Sequence, residues 1–208
     1  IDTKAPATVK PGKAGSLFRG RYKSKVDESS CLEITDGRSV TRTLESPIRL
    51  DVDAVYYVSF LARKLRDAPS GESQYLSVSF RTADSLDDPR KLHFGMTSES
   101  HPTMTHSDRE VIVAPPLESG ATLMFVAKII AGKNDPDQLM MRVYGPNESV
   151  RGTETLVWNC VTPAKLDNTI FDRLMIYAGN SGHFLVDEIR IGTSWESVTS
   201  YAQDPVKD

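Results

Sequence analysis

Gln74-Tyr75-Leu76-Ser77-Val78-Ser79-Phe80-Arg81 alternates apolar and polar side chains with a period of two. A β-strand sends successive side chains to opposite faces, so Leu76, Val78 and Phe80 face one way while Tyr75, Ser77, Ser79 and Arg81 face the other. The stretch reads as a half-buried strand. Val55 to Arg63 repeats the pattern, with Tyr56, Val58, Phe60 and Ala62 set against Tyr57, Ser59, Leu61 and Arg63. Both of its faces are fairly apolar, as expected for a central strand covered on each side. Thr122 to Ala131 and Gln138 to Tyr144 form the best hairpin, because the Gly132-Lys133-Asn134-Asp135-Pro136-Asp137 segment between them is turn chemistry throughout. Shorter strands are expected at Cys31–Thr35, Val40–Leu44, Arg90–Met96, Val111–Ala114, Thr155–Asn159, Phe171–Tyr177 and Phe184–Ile191. A helical period is not sustained anywhere, so helix is limited to a turn or two. About a dozen strands with turn signals between them and no βα alternation imply an all-β fold, an antiparallel two-sheet sandwich.

The chain of 208 residues holds 39% hydrophobic and 25% charged residues, with 13 Gly and 12 Pro, which excludes collagen-like, low-complexity and disordered classes. A full core is available at this length, and two cysteines make no disulfide framework. Lys+Arg 25 against Asp+Glu 28 leaves a net charge of -3 without a basic stripe, which argues against nucleic acid. No apolar run approaches the ~20 residues of a membrane helix, so no direct membrane insertion is expected. Residues 1–15, with two prolines among lysines and small residues, read as a flexible arm or linker. The sandwich spans 16–200 and 201–208 is a tail. Beginning at Ile1 without a signal-like segment, the chain reads as a mature form or a part of something longer.

The closing strand, His183-Phe184-Leu185-Val186-Asp187-Glu188-Ile189-Arg190-Ile191-Gly192-Thr193, followed by Trp195-Glu196-Ser197-Val198, carries a family resemblance. It resembles the ending of laminin-G-like, concanavalin A-like lectin and glucanase jelly rolls in bacterial extracytoplasmic proteins of the planctomycete type. Tyr56–Arg63, Leu123–Ile129 and Phe171–Gly179 resemble other strands of that group. The resemblance implies a jelly-roll domain of an envelope or signalling protein, such as the part that follows a FecR-like anti-sigma sensor module. It also implies extracytoplasmic localisation, and a glycan or an envelope protein as partner.

Glucan hydrolases of this architecture carry a Glu-x-Asp-x-Glu strand, which puts the nucleophile and the acid ~5 Å apart in one cleft. No such strand exists here. Asp51 with Asp53 and Asp87 with Asp88 read as solvated polar residues, and Gly179-Asn180-Ser181-Gly182-His183 reads as a tight turn rather than a nucleophile elbow. The expectation is therefore a non-enzymatic recognition domain with no catalytic residues and no required cofactor, carbohydrate being its leading ligand. The alternatives are a polysaccharide-active glycoside hydrolase with carboxylates drawn from separate strands, and a purely structural module.

Aromatics that reach a concave sheet face can stack on sugar rings, and Tyr57, Tyr75, Tyr144 and Trp158 are the candidates. His101, His106 and Asp108 share a polar segment that reads as an exposed insertion loop, since a separation of five suits neither a strand nor a helical ligand pair. By strand parity Asp187 shares its face with Leu185, Ile189 and Ile191, and Arg190 lies opposite, so this carboxylate needs a partner. The resemblance implies a structural calcium at Asp187; the alternative is backbone hydrogen bonding from the N-terminal segment. Cys31 and Cys160 are either a disulfide or two buried thiols, with no cationic neighbour to activate either.

Overall fold

The computed structural model describes residues 9–11, 30–65, 74–83, 92–106, 109–113, 116 and 120–200. Thirteen strands and one short helix follow in order among them: β1 (Val9–Pro11), β2 (Ser30–Thr35), β3 (Ser39–Arg49), β4 (Ala54–Lys64), β5 (Leu76–Arg81), β6 (Leu92–Met96), β7 (Pro102–His106), β8 (Arg109–Ile112), β9 (Thr122–Ala131), β10 (Gln138–Tyr144), β11 (Cys160–Val161), β12 (Ile170–Ala178), β13 (His183–Gly192) and α1 (Trp195–Thr199). They build two antiparallel sheets. The seven-stranded sheet runs β1-β2-β13-β4-β9-β10-β11 and the six-stranded sheet β3-β12-β5-β6-β7-β8. This is the jelly-roll sandwich that the alternation implied.

One apolar layer lies between the sheets. Leu76, Val78 and Phe80 of β5, Phe60 of β4, Leu123 and Phe125 of β9, and Leu174 of β12 are buried in a single cluster, and Ile189 packs against it partly buried. Phe60 stacks on Phe125 with ring centroids 4.7 Å apart, while Phe80 meets Phe94 edge to face at 6.4 Å. Both geometries suit the aromatic quadrupole.

A second apolar cluster covers the outer face of the seven-stranded sheet, where Tyr57 and Leu61 of β4, Met124 and Val126 of β9 and Tyr144 of β10 meet Val150, Trp195 and Val198. The two apolar faces of β4 are thereby accounted for. Ser194 caps α1 by accepting the Ser197 amide, Ser59 Oγ donates to the Val198 carbonyl at 2.7 Å, and Trp195 Nε1 donates to the Arg151 carbonyl at 2.9 Å. Glu154 clamps the segment after β10 to the sheet: it accepts the Tyr57 hydroxyl and pairs with Lys128 Nζ at 2.7 Å. Burial opposes the Glu154 charge, but Lys128 and Tyr57 hold its carboxyl below the usual range.

Several sequence readings are corrected. Thr155–Asn159 forms no strand; it belongs to the irregular segment held by Glu154, and Leu156 is 97% exposed. Val9–Pro11, inside the expected arm, is β1 and pairs antiparallel with β2. The polar segment expected as an exposed loop contains β7, with Met104 in the core and His106 only 1% exposed. Of the two alternatives for the cysteines the structure has the buried thiols: Cys31 and Cys160 are free, near opposite edges of the seven-stranded sheet, with β13, β4, β9 and β10 between their strands. Burial alone pushes the Cys160 thiol up to about 12, which removes it as a nucleophile at neutral pH. Asp87, Asp88, Asp108 and the tail 201–208 lie outside the described residues.

Leu76 is completely buried between the sheets. Leu76→Ala should lower unfolding free energy by ~2–5 kcal/mol, through lost transfer energy plus a cavity. Denaturant titration measures it, and a change within error would move Leu76 out of the core.

Candidate functional site

The outer face of the six-stranded sheet differs from that of its partner because its strands alternate apolar with hydroxyl-bearing or charged residues. Antiparallel register aligns these residues in cross-strand rows. Tyr177, Ser77, Gly95 and Thr103 face one another in the first row, Met175, Ser79, His93, Thr105 and Glu110 in the second, and Arg173 and Arg81 in the third. Ser77, Ser79, Arg81, His93, Thr103 and Thr105 are all buried, so the face is sheltered although it is polar.

A pocket of about 200 Å³ opens over the first two rows, lined by Tyr75, Ser77, His93, Met96, Thr97, Ser98, Thr103 and Glu110. Ser77 is 2% exposed, and among the described residues nothing hydrogen-bonds its Oγ. Thr103 donates to Glu110 Oε1 at 3.0 Å. His93 makes long contacts, Nδ1 to Thr105 Oγ1 at 3.4 Å and Nε2 to the Leu76 carbonyl at 3.5 Å. A carbonyl oxygen only accepts, so the tautomer with hydrogen on Nε2 fits and leaves the Nδ1 lone pair toward Thr105. Gly95 makes this possible: a Cβ there would lie 1.9 Å from the Leu76 oxygen and 3.0 Å from His93 Nε2. Tyr75 leans against Tyr177 at the edge of the face, with ring centroids 5.4 Å apart and a 39° tilt.

The aromatic candidates separate by sheet. Tyr57, Tyr144 and Trp158 belong to the apolar cluster under α1, where Tyr57 and Trp158 meet Trp195 edge to face at 6.3 and 6.1 Å. Tyr75 alone of the four lines the pocket. Alternation in β5 had already put Tyr75, Ser77, Ser79 and Arg81 on one face; His93, Thr103 and Glu110 were missed as site residues because they join it only through strand pairing.

His101 and His106 do not come together on a loop. His101 Nδ1 contacts the Val113 carbonyl at 2.9 Å, whereas His106 points between the sheets toward Asp167 Oδ2, 3.6 Å from its Nε2. The parity argument for Asp187 also fails, because β13 carries a bulge. Asp187 pairs with Leu61 and Arg190 with Ser59, so two residues of β13 oppose the single Phe60, and Glu188 takes a positive φ of 50°. Asp187 and Arg190 therefore share the outer face, and Ile191 pairs with Val58 on the inner one. Asp187 Oδ1 accepts the amide of Glu188 at 2.8 Å, a partner in its own strand rather than in the N-terminal segment. Among the described residues no group of three or more His, Cys, Asp and Glu side chains is placed to hold a metal ion.

No protein-family model matches this chain, and no curated protein matches it in sequence. Solved structures do match in fold. The endo-β-1,4-glucuronan lyase of the fungus Trichoderma reesei superposes with a TM-score of 0.56 at 11% identity, covering 94% of this chain and 90% of the lyase. The carbohydrate recognition domain of Emp46p, in a metal-free form, superposes with a TM-score of 0.50 at 8% identity, covering 79% of this chain and 82% of that domain. The fold is thus that of the concanavalin A-like jelly rolls. The expectation of a non-enzymatic domain is corrected by the lyase, which shares this sandwich over nearly its whole length. That expectation rested on a missing pair of carboxylates, and the pair is a requirement of glycoside hydrolysis alone. Among the described residues no helix is long and apolar enough to cross a membrane.

Burial pushes the Asp187 carboxyl above the ordinary aspartate value of 3.8. The folded chain then holds this proton more tightly than the unfolded one, so the associated stability is complete at low pH and lost as pH rises through the raised value. Asp187→Asn removes the charge and keeps an oxygen for the Glu188 amide. It should raise the melting temperature at neutral pH, with the gain vanishing by about pH 3. A stabilising effect of added calcium on the native protein, lost in Asp187→Asn, would instead assign an ion to this carboxylate.

Proposed function

We propose that this domain acts as an enzyme on a polysaccharide laid across the outer face of the six-stranded sheet, cleaving it by elimination at an acidic sugar. The observation that carries the reading is one pocket where the His93 imidazole, the Tyr75 phenol and several hydroxyls converge with a single carboxylate, Glu110. Hydrolysis in this architecture calls for two carboxyl groups at a defined separation. The pocket offers proton transfer through His93 and Tyr75 instead.

Elimination at a uronate uses those groups. His93 takes the C5 proton, which is acidified by the adjoining carboxylate. The electron pair forms the C4=C5 double bond, the C4–O bond breaks, and Tyr75 protonates the departing oxygen. No water is consumed. Ser77 Oγ, without a partner among the described residues, can bond a sugar hydroxyl, and Thr103 Oγ1, which donates to Glu110, can accept from one. The lyase and the recognition domain that share this fold lend support to a sugar substrate. Such polymers lie outside the cytoplasm, and we assign the domain's action there.

Incubation with polyglucuronate, polymannuronate, a mixed uronate polymer and a neutral β-glucan tests the reading. Ultraviolet absorbance of a conjugated enoate should grow with at least one acidic polymer and never with the neutral one. His93→Ala should lower the rate by ~100-fold or more while circular dichroism shows the β-sandwich retained, the scale of a lost acid–base group. Reducing ends without an enoate, or no product from any acidic polymer, would overturn it.

A further inference from the structure

Among the described residues Glu110 is the one carboxylate on a pocket whose other polar side chains, apart from His93 and the Tyr75 phenol, are the hydroxyls of Ser77, Thr97, Ser98 and Thr103. Among the described residues no lysine or arginine lines it; the Lys64 ammonium, which donates to the Ser98 carbonyl at 3.3 Å, reaches it from the other sheet and is buried. The guanidinium groups of this face, Arg81 and Arg173, stand in the third row, on the far side of His93 from Ser77 and Thr103. On the outer face of this sheet the described charges are therefore graded along the strands, with a carboxylate and hydroxyls on one side of the imidazole and guanidinium groups on the other.

From this gradient, and resting on the reading of an acidic sugar at His93, we propose that the part of the pocket on the Ser77 and Thr103 side of His93 is a subsite for one uncharged sugar, read by Glu110 and Ser77, with the uronate on the other side of His93, toward Arg81 and Arg173. The substrate class is then a heteroglycan in which a neutral sugar adjoins the uronate, rather than a homopolymer of uronates. Three physical points carry it. A carboxylate on the Ser77 and Thr103 side of His93 would face Glu110, with no lysine or arginine in the described lining to offset the charge, and like charges set side by side oppose binding. A carboxylate accepts two hydrogen bonds in parallel, which a vicinal diol of a neutral pyranose donates. The Thr103 hydroxyl orients Glu110 Oε1 at 3.0 Å, and Ser77 Oγ, buried and without a partner among the described residues, has the diol or ring oxygen to bond. Tyr75 supplies an apolar ring face for the sugar's CH groups.

The test uses the intact protein and two readouts. Calorimetric binding is compared for a neutral β-1,4-gluco-oligosaccharide and a glucuronate oligosaccharide of equal length, and enoate formation for an alternating glucose–glucuronate polymer and polyglucuronate. Wild type should bind the neutral oligosaccharide more tightly and cleave the alternating polymer faster. Glu110→Gln keeps an acceptor for Thr103 but removes the charge, so it should shift the acidic-to-neutral preference by about tenfold or more toward the acidic ligand. Equal preference in wild type, or a preference unmoved by Glu110→Gln, would overturn the subsite. A neutral preference that Glu110→Gln reverses, together with no enoate from either polymer, would uphold the subsite and remove the elimination reading alone.

Discussion

The apolar layer between the sheets, in which Phe60 stacks on Phe125 and Phe80 meets Phe94 edge to face, fixes the register of the strands around it. Side chains alternate along a strand, so committing Leu76, Val78 and Phe80 to this layer obliges Ser77, Ser79 and Arg81 to face outward. A slip of one residue would put two hydroxyls and a guanidinium into the core and three apolar groups outside. Register and site are the same constraint viewed from two sides.

The outer faces of the two sheets meet different ends for a chemical reason. On β4 and β9 both faces are apolar, and the second of them is removed from water by α1 and the segment clamped through Glu154. On the six-stranded sheet the buried outer groups are hydrogen-bonding ones, and burying them requires partners. Arg81 Nε donates to Ser79 Oγ, Ser79 Oγ to the Met175 carbonyl, and Thr103 Oγ1 to Glu110. Ser77 departs from this pattern over the pocket, which is why the pocket rather than the whole face carries the functional argument. Gly95 adds a steric condition, because only a residue without Cβ lets the Leu76 carbonyl stand beside His93.

Where the sequence misled, a local irregularity broke the alternation or tertiary cover hid it. The bulge at Glu188 turned Asp187 and Arg190 to one face, an inversion that simple parity does not anticipate. Strand β7 looked like a polar loop because Thr103, Thr105 and His106 are buried by neighbouring structure rather than by their own hydrophobicity. Trp158, Tyr57 and Tyr144 sit in the apolar cluster on the other sheet, where Trp195 of α1 meets Tyr57 and Trp158 edge to face.

The sequence by itself determined the all-β sandwich, the central position of β4, the hairpin of β9 and β10, and the outward set of Tyr75, Ser77, Ser79 and Arg81, because each follows from a period of two and from turn residues next to one another in the chain. Only the tertiary structure decided that His93, Thr103 and Glu110 join that set, that a pocket opens over them, and that two cysteines stay apart. Those facts depend on pairing between strands distant in sequence and on which elements fold back as cover, and neither quantity is written in the local alternation of side chains.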